Sequence, residues 1–202
     1  MNKNTVIVIG RQFGAGGREI GRGVASKLGI PFYDKELLAE AARKSGLSDQ
    51  FLAAFDEVKT TSLLYSFVMH GQNSGFFNSR DNLGLMAYEA QVAALRNVAS
   101  RGPCVIVGRG ADYILKDEYD VVSIFITGST DDRINHVMQR DGVSAKEARQ
   151  KTERMDKNRA SYYSELTGHK WGAAANYDLC VNGWKLGIDK SVELIASFVN
   201  AR

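Results

Sequence analysis

Between Val6 and Glu19 four aliphatic residues, Val6-Ile7-Val8-Ile9, run into a loop with three glycines in four positions, Gly14, Gly16 and Gly17. A helical pattern follows at once, with Ile20, Val24 and Leu28 on one face. A run that is apolar on both faces suits an interior strand. Glycines let the next stretch curl until several N–H groups converge, and a helix starting there adds the positive end of its dipole. The junction therefore predicts a phosphate-binding turn between a first strand and a first helix, with Arg18 as a side-chain cation. A plain strand-to-helix turn needs neither so many glycines nor the arginine.

The rest of the chain repeats the alternation. Thr5–Ile9, Pro31–Tyr33, Val105–Val107, Val121–Ile126 and Leu179–Val181 read as strands, most of them continuously apolar. Helical patterns separate them, beginning near Gly16, Lys35, Leu83, Thr130, Ser144 and Asp189. Ser144 and Glu147 form a capping box, and Asp189 is read as the cap of the last helix. The pattern predicts an α/β fold of three layers, α/β/α, around a mostly parallel five-stranded sheet. Residues 1–202 are read as one domain with two additions. One is a helical insert at about 47–102, containing a Gly/Asn/Ser-rich loop at His70–Asn82. The other is a basic lid segment at about 140–176.

Composition narrows the function classes. The net charge of +3 is too small to argue for a nucleic-acid surface. No apolar run approaches the roughly 18 residues a membrane span needs. The first residues lack a secretory signal pattern, so the expected location is the cytoplasm. Cys104 and Cys180 each sit in a strand-like run and are expected to be reduced core thiols. His70, His136 and His169 lack metal-ligand spacing.

Two phosphate-loop chemistries compete for the first turn. A standard Walker A loop needs Lys-Ser or Lys-Thr after its last glycine, and neither is present. A dinucleotide fold would explain Asp34, which follows Gly14 by 20 residues and would bind a ribose. It fits less well that four residues separate Ile9 from Gly14 and that Glu19 stands where a third glycine belongs.

Ile9 through Asp34 resembles the start of bacterial cytidylate kinases, and most of all the cytidylate kinase-like family. Its loop is of the type Ser-Arg-Gln-Phe-Gly-Ser-Gly-Gly-Arg-Glu-Ile; here the string is Gly10-Arg11-Gln12-Phe13-Gly14-Ala15-Gly16-Gly17-Arg18-Glu19-Ile20. The similarity continues through Val105–Gly110, Asp156-Lys157-Asn158-Arg159 and Asn176-Tyr177-Asp178-Leu179. It implies a P-loop kinase-like fold and an ATP- and Mg²⁺-dependent phosphotransferase acting on a nucleoside monophosphate or similar small acceptor. Without gaps, Gly17 stands at the loop lysine and Glu19 at the metal-binding Ser/Thr.

The resemblance implies that Gly14, Ala15, Gly16, Gly17, Arg18 and Glu19 hold the donor phosphates. Arg18 would act as the displaced lysine and Glu19 as the metal ligand. Asp34, Arg109 and Asp156 would place the acceptor, and Arg154 and Arg159 would close with the lid. Helical spacing puts Arg149, Thr152, Asp156, Arg159 and Tyr163 on one face and Arg154 on another. A solvated helix laced with ion pairs would show the same spacing. Tyr162, Tyr163 and Trp171 can either stack on a base or pack the segment. A nucleotide sensor without catalysis and a dinucleotide-binding oxidoreductase stay open beside the kinase reading.

Overall fold

The structure is a computed structural model and describes residues 2–44 and 79–202, with side chains over 2–41 and 88–202. The apolar runs pair as one parallel sheet of β1 (Thr5–Arg11), β2 (Phe32–Tyr33), β3 (Cys104–Val107), β4 (Asp120–Thr127) and β5 (Leu179–Asn182). Their order is β2-β3-β1-β4-β5. Val8 of the central β1 lies opposite Ile106 on one side and Ser123 on the other.

This placement explains why Val6–Ile9 does not alternate. Both faces of β1 are covered, so neither set of side chains meets water. Val6 and Val8 pack into a cluster with Leu38, Leu95, Val98 and Leu115, while Ile7 and Ile9 join Ile20, Val24, Ile195 and Val199. The first layer comprises α2 (Lys35–Lys44), α3 (Ser79–Ala99) and the short α4 (Ala111–Leu115). The opposite layer is α1 (Gly17–Leu28) and the last helix, which follows a four-residue helix at Gly183–Leu186. With that short helix as α7, the last is α8 (Ile188–Asn200). Beyond the carboxyl edge of the sheet stand α5 (Thr130–Asp141) and α6 (Ala145–Thr167). The expected capping box opens α6, Ser144 accepting from the Glu147 N–H while the Glu147 side chain accepts from the Ser144 N–H.

Several expectations are corrected. Ser79–Asn82 are helical, as the first turn of α3, not loop; the remainder of the loop at 70–78 lies outside the described residues. Asp189 sits inside the first turn of α8 and does not cap it; the capping position is Gly187. Cys104 is buried, but Cys180 is exposed because β5 is an edge strand. The dinucleotide reading fails on topology. In that fold the second strand flanks the first, whereas among the described residues β2 pairs with β3 and not with β1, so Asp34 stands one strand farther out. Among the described residues no helix is long and apolar enough to cross a membrane.

Candidate active site

The carboxyl edge of an open parallel sheet is where strands end and helix N-termini begin, so ligand sites gather there. At this edge a cleft of about 570 Å³ lies between the first loop, α2, Arg109 and α6. The loop forms its floor. Gly14 has φ +77, a left-handed conformation, and a Cβ there would lie 2.7 Å from the carbonyl oxygen of Arg133. Side chains from afar pin the loop. Trp184 Nε1 donates to the Gly14 carbonyl at 2.7 Å, and Gln12 Oε1 accepts from Thr127 Oγ1 at 2.6 Å. Among the described residues, no acceptor takes the N–H groups of Gly16, Gly17 and Arg18. Donors at a helix start without acceptors are what an anion needs.

Arginines converge on the same cleft. Arg11, Arg18, Arg109 and Arg159 all line it. Burial lowers the Arg109 pKa, and burial with Arg109 and Arg140 nearby lowers that of Arg159 to about 10 despite Asp156. Arg11 is pushed well below the ordinary arginine value by burial and by Arg159, Arg109 and Arg18. Arg159 also donates to the Arg11 carbonyl at 2.9 Å, tying α6 to the end of β1. Arg109 has φ 68 between two glycines that also have positive φ. A non-glycine residue there costs roughly 1–3 kcal/mol and persists where the surroundings hold it. Tyr162 Oη and Gln91 Nε2 both donate to the Arg109 carbonyl, at 3.2 and 3.1 Å.

The acids are committed differently. Asp34 is buried; it accepts from the Leu37 N–H at 3.1 Å, capping α2, and from Arg18 Nε at 2.8 Å. Arg18 also reaches Glu36 at 3.2 Å. Burial by itself would raise the Asp34 pKa; the Leu37 N–H and the Arg18 guanidinium outweigh it and hold it below the usual carboxylate value. Asp156 accepts from the Phe13 N–H at 2.7 Å and from Arg133 Nη1 at 2.5 Å. It therefore ties the loop to α5 and α6. Arg154 is exposed and lies outside the cleft lining. Tyr163 donates to Asp112 at 2.9 Å, and Trp171 packs edge-on against Phe125. Tyr162 alone of these aromatics lines the cleft.

The model of one family, the cytidylate kinase-like family, matches residues 6–184. The chain belongs to the cytidylate kinase-like family. No curated protein matches it in sequence. Among solved structures it is similar to an uncharacterized protein from Eubacterium ventriosum ATCC 27560, with 28% identity, TM-score 0.72, and 98% of this chain and 99% of that chain covered. A shikimate kinase from Acinetobacter baumannii, solved with shikimate, has 16% identity and TM-score 0.51 over 98% of this chain and 93% of its own. A deoxyadenosine kinase from M. mycoides has 17% identity and TM-score 0.50 over 98% of this chain and 100% of its own. The last two show the fold alone: an α/β domain of the P-loop kinase kind.

As a cytidylate kinase-like protein the chain departs from a lysine-bearing loop, and the structure shows what surrounds the departures. The Glu19 carboxylate is exposed in the cleft, 3.7 Å from His136 Nε2. Among the described residues no group of three His, Cys, Asp or Glu could hold a metal. One carboxylate beside a helix start fits Mg²⁺ only where phosphates and water supply most of its ligands, not a dedicated protein cage. Arg11, His136, Arg140 and Asn158 also line the cleft and were not candidates from sequence. Arg11 had one available signal, its place in the loop string next to the end of β1.

Proposed function

We propose that the protein transfers a phosphoryl group from ATP to a small acceptor, a nucleoside monophosphate being the first class to test. One observation carries this reading: a strand-loop-helix turn with unsatisfied N–H groups faces a cleft ringed by Arg11, Arg18, Arg109 and Arg159. Phosphoryl transfer depends on positioning and on cations around charge that spreads over the transferred oxygens. Residues Gly14–Glu19 would hold the donor phosphates. Mg²⁺, held through Glu19 and the phosphates, would neutralise negative charge as the phosphoryl group moves. Arg109 would fork onto acceptor oxygens, a geometry guanidinium groups favour. The Arg18–Asp34 pair beside it would set the acceptor's seat. Arg159 would join from α6, and Asp156 would hold the loop in place rather than touch substrate.

A nucleotide sensor is the second reading, favoured by the Gly17 and Glu19 replacements. ATP consumption measured with each nucleoside monophosphate, beside calorimetry with ATP and with NAD, separates the alternatives. Turnover with one acceptor supports the kinase. ATP binding with no turnover on any acceptor overturns catalysis and leaves the sensor. Absence of ATP binding removes both.

A further inference from the structure

Gly17 stands where the family resemblance places the loop lysine, and its missing side chain has a physical consequence. A Cβ on Gly17 would lie 2.6 Å from Cβ of Arg11 and 2.8 Å from its Cγ. Those distances are well inside van der Waals contact, so any side chain there would displace Arg11. The Arg11 stem, coming from the end of β1, fills the space beside the helix start. Its guanidinium continues over a second glycine: a Cβ on Gly108 would overlap Nη1. Two glycines on two separate segments thus clear one path, and Arg11 runs along it into the cleft.

What Arg11 meets there is unusual for an arginine. Among the described residues no carboxylate lies within ion-pair distance of its guanidinium, and no acceptor takes its N–H groups. Its charged neighbours are Arg159, Arg109 and Arg18, with Asp34 the attraction that partly offsets them. Arg18 differs, being tied to Asp34 at 2.7 Å and to Glu36 at 3.2 Å. Arg11 is half-buried, and a cation drawn partly out of water without a counter-ion is costly unless something else supplies the charge.

We propose that Arg11, rather than Arg18, is the cation that grips the donor's terminal phosphates, in place of the lysine that Gly17 removes. The side chain has moved from the first turn of the helix to the last residue of the strand, and it reaches the same cradle from the other side. This deepens the phosphotransferase reading and rests on it for the identity of the anion.

The test is calorimetry of ATP and of inorganic pyrophosphate on the wild type, Arg11→Gln, Arg11→Lys and Arg18→Gln, beside thermal melts without ligand. Arg11→Gln should lose about tenfold or more in affinity for both ligands, and more than Arg18→Gln loses. Its unliganded melting temperature should hold or rise, because an uncompensated cation is gone. Arg11→Lys should recover part of the lost affinity. Arg11→Gln binding as tightly as wild type, or a larger loss in Arg18→Gln, overturns the assignment. Should wild type ignore ATP yet take pyrophosphate through Arg11, the kinase reading falls and the anion role stands. If neither ligand binds wild type, both fall. Should Arg11→Gln misfold, Arg11→Met decides, since it keeps an unbranched stem without the charge: affinities equal to those of wild type would overturn the role.

Discussion

The floor of the cleft and its α5–α6 rim are built from the same charged residues and use them in opposite ways. On the rim, three cations are tied to carboxylates: Arg133 to Asp156, and Arg140 and Lys151 both to Asp141. At the floor, Arg11 and the one α6 arginine that reaches down to it, Arg159, meet no carboxylate within ion-pair distance among the described residues, and burial depresses both pKa values. Phe13 lies between the two regions, its ring within 5.4 Å of the Arg159 guanidinium and 5.0 Å of that of Arg140. Paired charges hold elements together; unpaired ones leave a guanidinium without a counter-ion among the described residues. Arg18, paired yet half-exposed, stands between the two classes.

The strongest way to break this contrast is to strip the rim. Asp156→Ala leaves the Arg133 guanidinium with its side chain only 9% exposed and no counter-ion. Among the described residues the Nε of Arg133 already lacks a partner, and the Phe13 N–H loses its acceptor as well. Breaking a buried pair from one side costs about 3 kcal/mol or more, which a urea titration would read directly. Replacing both partners by apolar residues, Asp156→Leu with Arg133→Met, should recover much of the loss. A stability unchanged in Asp156→Ala would mean that the rim pair is not holding anything.

Next comes the floor's own backbone. Gly14→Ala forces a left-handed φ on alanine and drives Cβ into the Arg133 carbonyl, 2.7 Å away. A cost of about 2 kcal/mol follows from strain of this type. Phosphate binding should fall with it, because the loop can relieve the clash only by moving. A variant with wild-type stability and wild-type pyrophosphate affinity would show that the loop's shape is not what makes the site.

How much of this was legible beforehand depends on how local each signal is. The glycine loop and the Ser144–Glu147 box are written in neighbouring residues, and their form follows from backbone sterics and capping. The sheet order is not local: β3 joins the chain 70 residues after β2 yet inserts between it and β1, and no strand pattern encodes that. Asp34 was visible by its place at a strand end, where it can also cap the helix from Lys35, but its pairing with Arg18 needed the fold. Helical spacing set Arg154 apart from Arg159, and the structure leaves Arg154 exposed. Asp156 was expected to place the acceptor, whereas its partners come from 23 and 143 residues away. Arg11 stayed hidden because its environment is made by side chains that Gly17 and Gly108 lack.

A smaller effect sharpens the contrast at Asp34, the acid that mixes the two roles. Asp34→Ala removes the α2 cap and the Arg18 partner, for about 1 kcal/mol at neutral pH. The folded-state pKa of Asp34 is lowered, so its contribution is fully present above the unfolded carboxylate value, near 4. It is lost as pH falls through the lower folded value. The wild-type advantage over Asp34→Ala should therefore be flat from neutrality down to about pH 5 and shrink in stronger acid. An advantage that instead disappears near pH 6 would assign the effect to another group.

The weakest expected effect lies at the outer edge of the rim. Lys151 Nζ meets Asp141 at 2.7 Å, but its side chain is 39% exposed, and Arg140 already holds the same carboxylate at 2.7 Å. Removing one of two cations from a shared, half-wet acid should cost no more than about 0.5 kcal/mol for Lys151→Ala. Most of that should vanish in 1 M salt, where the screening length falls to about 3 Å. The Arg133–Asp156 pair, deeper in the same rim, should keep its larger contribution in that salt, because buried charges are screened much less. Melting Lys151→Ala and Asp156→Ala side by side at low and high salt thus compares wet and dry ion pairs within one wall. Equal salt sensitivity in the two variants would mean that depth does not grade the rim. The contrast with the floor would then rest on pairing alone.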